Sequence, residues 1–202
     1  MHHYDTIIIG GGHNGLVCSA YLAKKGHHVL VLEASDNLGG LAETREFHPG
    51  FKASVAHSIS NFSTKVAKDL NLSAYGFTSG AAPMTTVGLN ASGEHVTLTG
   101  LEVEGVGVED VESYKEYRQV MQKFTNLLHP FWHKTMPRIG DNSLPSRMTF
   151  GQLGLKLRLL GKEDMGEFMR IATLPARDLM DENFDSDLLK AVLSWDGLIG
   201  SK

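Results

Sequence analysis

The chain has 202 residues, of which 42% are hydrophobic and 21% charged, and its formal net charge is −4. This composition is typical of a folded globular protein and excludes a disordered chain. The negative charge, without any block of Lys and Arg, gives no electrostatic basis for nucleic-acid binding. A single cysteine excludes an intrachain disulfide.

Two features of the sequence bear on where in the cell the protein resides. The longest apolar runs fall well short of the roughly 20 residues that a membrane-spanning helix requires. The first predicted strand begins so close to Met1 that no room remains for a signal or transit peptide. We therefore expect a cytoplasmic protein.

The N-terminal stretch 5–33 has the pattern of a β-α-β unit. A short apolar strand, Thr6–Ile9, is followed by the glycine run 10–15 and by a helical pattern over 16–25. A second apolar strand, Val29–Leu32, comes next. A Gly-x-Gly-x-x-Gly run in this context is typical of a dinucleotide-binding loop.

Each glycine of this run has its own predicted task. Gly10 permits the tight turn after the strand, Gly12 lets the backbone approach a pyrophosphate, and Gly15 lets the helix pack on the strand. Glu33 lies where a carboxylate accepts hydrogen bonds from an adenosine ribose. The alternative is a glycine-rich turn in an ordinary β-α-β unit with a surface glutamate.

A glycine doublet, Gly39-Gly40, follows the second strand. One interpretation is that a larger, bent dinucleotide runs past the first helix and is approached by this second segment without side chains. The other is that turn geometry alone requires the doublet.

These segments together resemble a known family. The runs 5–17 and 31–34, the doublet, and the downstream run 46–51 are similar to the FAD-binding N-terminus of the flavin amine oxidase and phytoene desaturase superfamily. The Gly-Gly-Gly-His-Asn-Gly-Leu form most resembles one branch. That branch holds the carotenoid desaturase and isomerase-like proteins and the pyridine nucleotide-disulfide oxidoreductase domain-containing protein 2 group.

The resemblance implies a bound FAD and the residues that contact it. Two departures from the family pattern are Leu41, where relatives place Arg, and Ser35, where a basic residue is common. His57 lies roughly where relatives carry a histidine beneath the flavin, although a polar loop histidine is an equal alternative. The full set of predicted FAD-binding residues is Gly10, Gly12, His13, Asn14, Gly15, Glu33, Ala34, Gly39, Gly40, Thr44 and His57.

The remainder of the chain changes character near residue 80. A helix is predicted over 61–72, and a β-hairpin over 84–98 with its turn at 90–94. Helices are then predicted over 110–128, 150–160, 164–174 and 186–194. We expect a Rossmann-like FAD-binding β-α-β start with an incomplete doubly wound sheet (1–80), followed by an α+β portion of a substrate domain (81–202).

The segment 153–162 combines apolar residues with three basic ones. It is either a membrane-contacting helix, which would suit a lipid-soluble substrate, or a core helix whose cations point to water. The narrow polar face favours the core helix.

The residues also limit the chemistry. With FAD bound, the flavin carries out electron transfer, so no protein nucleophile is needed and no catalytic residue is assigned. A redox disulfide needs two cysteines and is excluded because the chain has one. We predict that Cys18 is a small packing residue and that no metal site is present. Because relatives are more than twice as long, we expect an N-terminal portion of a larger protein.

Three functions follow. The first is an FAD-dependent oxidoreductase that transfers hydride between an apolar or polyene-like substrate and the flavin. The second is an NAD(P)-dependent dehydrogenase, and the third is a truncated, non-catalytic dinucleotide-binding module. The partner that we expect is an apolar small-molecule substrate, and a peripheral membrane contact is the alternative that residues 153–162 leave open. The sequence does not fix the oligomeric state.

Overall fold

The computed structural model of the chain describes residues 3–54, 62–78 and 84–198. The chain forms two compact units, residues 1–82 and 83–202. The first is a mixed α/β unit, and the second is an antiparallel sheet followed by α-helices.

The first unit begins with the predicted β-α-β arrangement. Strand β1 (Thr6–Ile9) pairs in parallel with β2 (Val29–Leu32), in the register Thr6 to Val29 and Ile9 to Leu32. Helix α1 (His13–Lys24) connects them and begins three residues earlier than the sequence pattern indicates. Within the described residues this sheet has two strands, so the prediction of a Rossmann-like start with an incomplete sheet is confirmed.

A second hairpin in this unit is not among the predicted elements. Strands β3 (Thr44–His48) and β4 (Phe51–Ser54) pair antiparallel. The turn between them contains Pro49 and Gly50, and Gly50 has a φ of +81°. The residues of β3 are all exposed, so this segment lacks the hydrophobic alternation by which a half-buried strand is recognised.

Helix α2 (Thr64–Asp69) is shorter than the predicted helix. Its N-cap Ser63 accepts a hydrogen bond from the Val66 N–H, at 3.3 Å. Asn71 adopts a left-handed conformation, with φ of +52°. That conformation ends the α-helix, and a 3₁₀ turn over Leu72–Tyr75 follows.

The second unit begins with an antiparallel sheet. In the described part of the chain its strand order is β5 (Thr86–Gly88), β6 (Val96–Thr99) and β7 (Glu102–Glu104). Strands β5 and β6 form the predicted hairpin. Strand β7 is absent from the prediction because it is short and has one apolar residue, Val103, between two glutamates.

Five α-helices follow within the described residues of this unit. They are α3 (Val108–Leu128), α4 (Leu144–Leu159), α5 (Lys162–Thr173), α6 (Ala176–Asn183) and α7 (Asp187–Leu198). Helix α4 begins six residues before the predicted start, with Pro145 in its first turn. Helix α6 is absent from the prediction because its sequence is too polar to show a long apolar stripe.

The hydrophobic core of this unit lies between the sheet, α3, α6 and α7. Helix α3 supplies the buried Tyr114, and α7 supplies Leu189, which has no exposed surface. The remaining buried members of this core are Val96, Leu98, Val103, Leu179, Met180 and Phe184.

A buried carboxylate joins the two ends of this core. Asp110, in the first turn of α3, is only 5% exposed. It accepts hydrogen bonds from the backbone N–H groups of Asp185 and Ser186, at 2.8 and 2.9 Å. These donors precede α7, so the side chain of one helix caps the start of another.

We expect Asp110→Ala to lower the free energy of unfolding by about 2 kcal/mol, because two buried N–H groups lose a charged acceptor. Urea unfolding followed by circular dichroism measures the change. The matched control is Glu109→Ala, since Glu109 is exposed in the same helical turn and its removal costs at most about 1 kcal/mol. Equal losses in the two variants would contradict this role.

Candidate functional site

The site is built where β1 ends and α1 begins. The Gly10 N–H donates to the Leu32 carbonyl at 2.7 Å, which extends the pairing of β1 with β2 by one residue. Gly12 is the N-cap residue of α1, no side chain caps this end, and no acidic residue lies in the first turn. Within the described residues, the helix therefore presents backbone N–H donors and the positive end of its dipole without a charged or side-chain partner for them.

Gly15 is required by close packing. A Cβ at this position would lie 2.1 Å from the Gly10 carbonyl oxygen and 3.4 Å from the Ile8 Cγ2 atom. The first distance is far below any tolerable contact. Helix α1 can therefore approach the end of β1 only because residue 15 has no side chain, as the motif predicts.

Gly12 differs from its neighbours in this respect. Its backbone is extended, with φ of −70° and ψ of 170°, which any residue adopts. A Cβ here would meet only the Gly40 Cα, at an ordinary contact distance of 4.0 Å. Neither the backbone nor the packing of the described residues requires glycine at this position.

Glu33 lies at the centre of a hydrogen-bond cluster. Its Oε2 atom accepts from the Gly11 N–H at 2.5 Å. Its Oε1 atom accepts from the N–H groups of Ala34 (2.9 Å) and Ser35 (3.0 Å) and from the Ser35 hydroxyl (3.0 Å). The carboxylate thus holds the glycine loop against the residues that follow β2.

These donors stabilise the ionised carboxylate. Hydrogen bonds from the backbone N–H groups of Ser35 and Gly11 and from the Ser35 hydroxyl lower the pKa of Glu33 from 4.5 to about 2. The Oε2 atom accepts one of these bonds, and a carboxylate oxygen can accept two. It can therefore still accept a hydroxyl hydrogen from a bound ribose.

The glycine doublet lies against the first glycine loop. The Gly39 N–H donates to the Gly11 carbonyl at 2.8 Å, and Gly12 and Gly39 form a parallel bridge. Gly39 and Gly40 have φ of +122° and +58°. A Cβ on Gly40 would lie 3.2 Å from the Gly12 Cα. The chain's own geometry therefore requires the doublet, so the doublet by itself does not distinguish FAD from a smaller dinucleotide.

The other predicted FAD-binding residues that the structure describes are His13, Asn14 and Thr44, and none of them binds Glu33. His13 and Asn14 are exposed in the first turn of α1. Thr44 begins β3 and lines a shallow cleft together with Ser35, Asp36 and Asn37. His57 lies outside the described residues.

Sequence reasoning missed two members of the cluster. Gly11 is buried, and a Cβ there would lie 2.5 Å from the Leu38 Cδ2 atom and 3.2 Å from Glu33 Oε2. A third consecutive glycine was the signal for it. Ser35, which in sequence is only a departure from the family pattern, donates its hydroxyl to Glu33.

Two further sequence predictions concern chemistry. Cys18 is exposed on α1, so the prediction that it is a packing residue is wrong for this chain. Among the described residues, no group of three or more His, Cys, Asp and Glu is arranged to hold a metal ion. In the same part of the chain, no helix is both long and apolar enough to cross a membrane.

Comparison with known proteins agrees with this geometry. Residues 8–72 match the family model described as NAD(P)-binding Rossmann-like domain. Over 98% of its length, the chain is 29% identical to the pyridine nucleotide-disulfide oxidoreductase domain-containing protein 2 of Mus musculus. It covers 38% of that relative.

A second relative matches a shorter part of the chain. The chain is 35% identical to a limonene dehydrogenase subunit of Castellaniella defragrans, over 59% of this chain and 24% of the relative. Among solved structures, a putrescine oxidase triple mutant aligns with a TM-score of 0.39 and 20% identity, covering 73% of this chain and 36% of that chain. The chain thus spans well under half the length of these relatives.

We expect Gly15→Ala to lower the free energy of unfolding by about 1–3 kcal/mol, because the new methyl group overlaps the Gly10 carbonyl oxygen. Thermal or urea unfolding of the purified chain measures this loss. The control is Gly166→Ala in α5, where a Cβ meets nothing within 4 Å and alanine favours the helix. A Gly15 variant as stable as the wild type would contradict the packing role.

We also expect a pH dependence that Glu33 controls. Since its pKa is lowered from 4.5 to about 2 on folding, its ionised form stabilises the folded state fully above about pH 5. That stabilisation is lost as the pH falls from 4.5 towards 2. In Glu33→Gln the loss is present at neutral pH, so the difference in melting temperature from the wild type should shrink over this window. A difference that does not change between about pH 7 and about pH 2.5 would contradict this.

Proposed function

We propose that this chain binds the ADP half of FAD within a larger oxidoreductase. Its residues 8–72 match the family model of a NAD(P)-binding Rossmann-like domain. The observation that carries this proposal is Gly12. The described residues do not need glycine there, so the missing side chain keeps space for a ligand at the uncapped start of α1.

The residues around Gly12 fit a dinucleotide. The backbone N–H groups at the start of α1 are donors that can bind a pyrophosphate, which is anionic. Glu33 stays ionised at neutral pH, because its pKa is lowered, and keeps acceptor capacity on Oε2 for a ribose hydroxyl. Its negative charge would repel a 2′-phosphate, so the site favours FAD or NAD over NADP.

The choice of FAD over NAD rests on the family resemblance of the sequence. When bound, the flavin would accept the hydride that leaves a C–H bond of the substrate, so the substrate is oxidised and the flavin reduced. The residues of this chain hold and orient the ADP portion, and Gly11, Ala34 and Ser35 hold Glu33 in place for it.

An apolar substrate is the second part of the proposal. The limonene dehydrogenase subunit is named for a hydrocarbon, and the sequence resembles desaturases of polyene substrates. A hydrocarbon has no carbonyl or leaving group for a protein nucleophile, so its oxidation requires a redox cofactor, and hydride transfer to a flavin is one such route. Carotenoid desaturase-like specificity is the finer form of this proposal.

The competing function is an NAD-dependent dehydrogenase. The description of the matching family model names NAD(P), and the structural reason for the glycine doublet removes it as evidence for FAD. FAD, NAD⁺ and ADP all contain the ADP portion that this chain would hold, so the two functions must be separated in the full-length protein. Flavin released when that protein is denatured supports FAD, whereas NAD⁺ binding by a protein that releases no flavin overturns it.

We expect Gly12→Ala to weaken FAD and ADP binding about tenfold or more while the free energy of unfolding falls by no more than about 1 kcal/mol. The methyl group has room in the unliganded chain but occupies the path of the pyrophosphate. Fluorescence titration measures binding, and urea unfolding measures stability.

Gly15→Ala is the matched comparison, since it should lose stability as well as binding. Unchanged affinity in a folded Gly12→Ala chain would overturn the proposed binding site. A full-length protein that releases no flavin on denaturation would overturn the FAD-dependent function.

A further inference from the structure

Helix α4 carries an exposed apolar stripe. Leu144, Met148, Leu155 and Leu159 fall within about 60° of one another around the helix axis, given about 3.6 residues per turn. All four are exposed, from 56% for Met148 to 76% for Leu159. The prediction that residues 153–162 form a core helix is therefore wrong for the apolar residues Leu155 and Leu159.

The loop before α4 extends this apolar surface. Trp132, Met136 and Ile139 are large apolar residues on the loop, and all are exposed, Ile139 completely. Met136 also lines a cleft between this loop and the first turns of α4, together with Met148 of the stripe. Met136 and Met148 thus connect the loop to the stripe of the helix, and the exposed apolar residues of both are hereafter the α4 face.

The charge around the α4 face is the opposite of the charge of the whole chain. Residues 129–162 contain six basic residues and one acidic residue, whereas the chain has a net charge of −4. Among the residues that the structure describes, none of the six forms an ion pair. They are Lys134, Arg138, Arg147, Lys156, Arg158 and Lys162.

The one acidic residue is exposed but is held in local hydrogen bonds. Asp141 accepts hydrogen bonds from the Ser143 N–H and hydroxyl, both at 2.9 Å, and from the buried Ser146 hydroxyl at 2.6 Å. Its charge is therefore used to order the start of α4. The α4 face remains cationic, with Arg147 and Arg158 along one edge of the stripe.

We propose that the α4 face binds the surface of a bilayer that contains anionic lipids. Apolar side chains on a helix with basic residues beside them are the arrangement that lies in the lipid headgroup region. Basic residues are attracted to the negative surface potential, and an exposed tryptophan has an amphipathic ring that prefers this interface. The α4 face would bind such a bilayer with or without the proposed cofactor.

Charge also weighs against a second copy of the chain as the occupant. A symmetric dimer through the α4 face would place two cationic surfaces opposite each other, which is repulsive. An anionic membrane complements both the charge and the apolar stripe. An acidic protein segment, including one from a longer form of this protein, is the competing occupant that the experiment must distinguish.

The test is co-sedimentation of the 202-residue chain with vesicles of equal parts phosphatidylglycerol and phosphatidylcholine, and with vesicles of phosphatidylcholine alone. We expect binding to the anionic vesicles that weakens with added salt, and little binding to the neutral ones. Arg147→Gln with Arg158→Gln should weaken binding about 25-fold, at about fivefold for each cation. Leu155→Ser with Leu159→Ser should weaken it at least about tenfold.

Two matched controls use exposed residues on other elements of the same unit. Lys115→Gln with Arg118→Gln removes two cations from α3, and Leu89→Ser with Val108→Ser removes two exposed apolar side chains. Both control variants should bind anionic vesicles like the wild type. Circular dichroism and urea unfolding verify that every variant is folded.

Several results would overturn the proposal. The first is equal binding to both kinds of vesicle. The second is a loss of binding in the control variants equal to that in the α4 variants, and the third is no vesicle binding by the folded wild type. Sedimentation velocity showing a dimer that Leu155→Ser with Leu159→Ser dissociates would identify a second copy as the occupant. Binding by the 202-residue chain but not by the full-length protein would show that other residues of the protein cover the face.

Discussion

The hydrogen bonds of the Glu33 carboxylate are the interaction on which the first unit depends. One side chain, placed just after β2, accepts from the glycine loop after β1 and from the two residues that follow it. The strands alone align the segments in register, but pairing of β1 with β2 does not fix the loops beyond them. The carboxylate fixes both loops, which places the start of α1 and the glycine doublet beside each other.

The glycines in these two loops lack a side chain for different structural reasons. Gly15 and Gly40 permit close contacts within the chain, and Gly10 and Gly39 adopt positive φ angles. Gly12 alone among these five has both an ordinary backbone conformation and open space around it. A motif that is uniform in sequence thus combines residues needed for folding with one whose role is visible only when a ligand is considered.

Features that depend on residues close together in sequence could be predicted. The β-α-β start, the doublet and the central acid are of this kind, because periodicity and glycine spacing report local geometry. The Gly11 and Ser35 contacts could not be predicted, since they depend on how two loops meet. The β3-β4 hairpin lacks the apolar alternation of a half-buried strand, and α6 lacks a long apolar stripe, so neither could be recognised from the sequence. The exposed face of α4 was predicted to be part of the core because the sequence alone does not report exposure.

The Asp110 cap has a consequence for how the second unit is made. Its acceptor is at the start of α3, while its two donors come 75 and 76 residues later in the chain. During synthesis the carboxylate can therefore make these bonds only after residues 185 and 186 have left the ribosome. A chain interrupted before this point would hold most of the helices of the unit and still lack the bond that joins its beginning to its end.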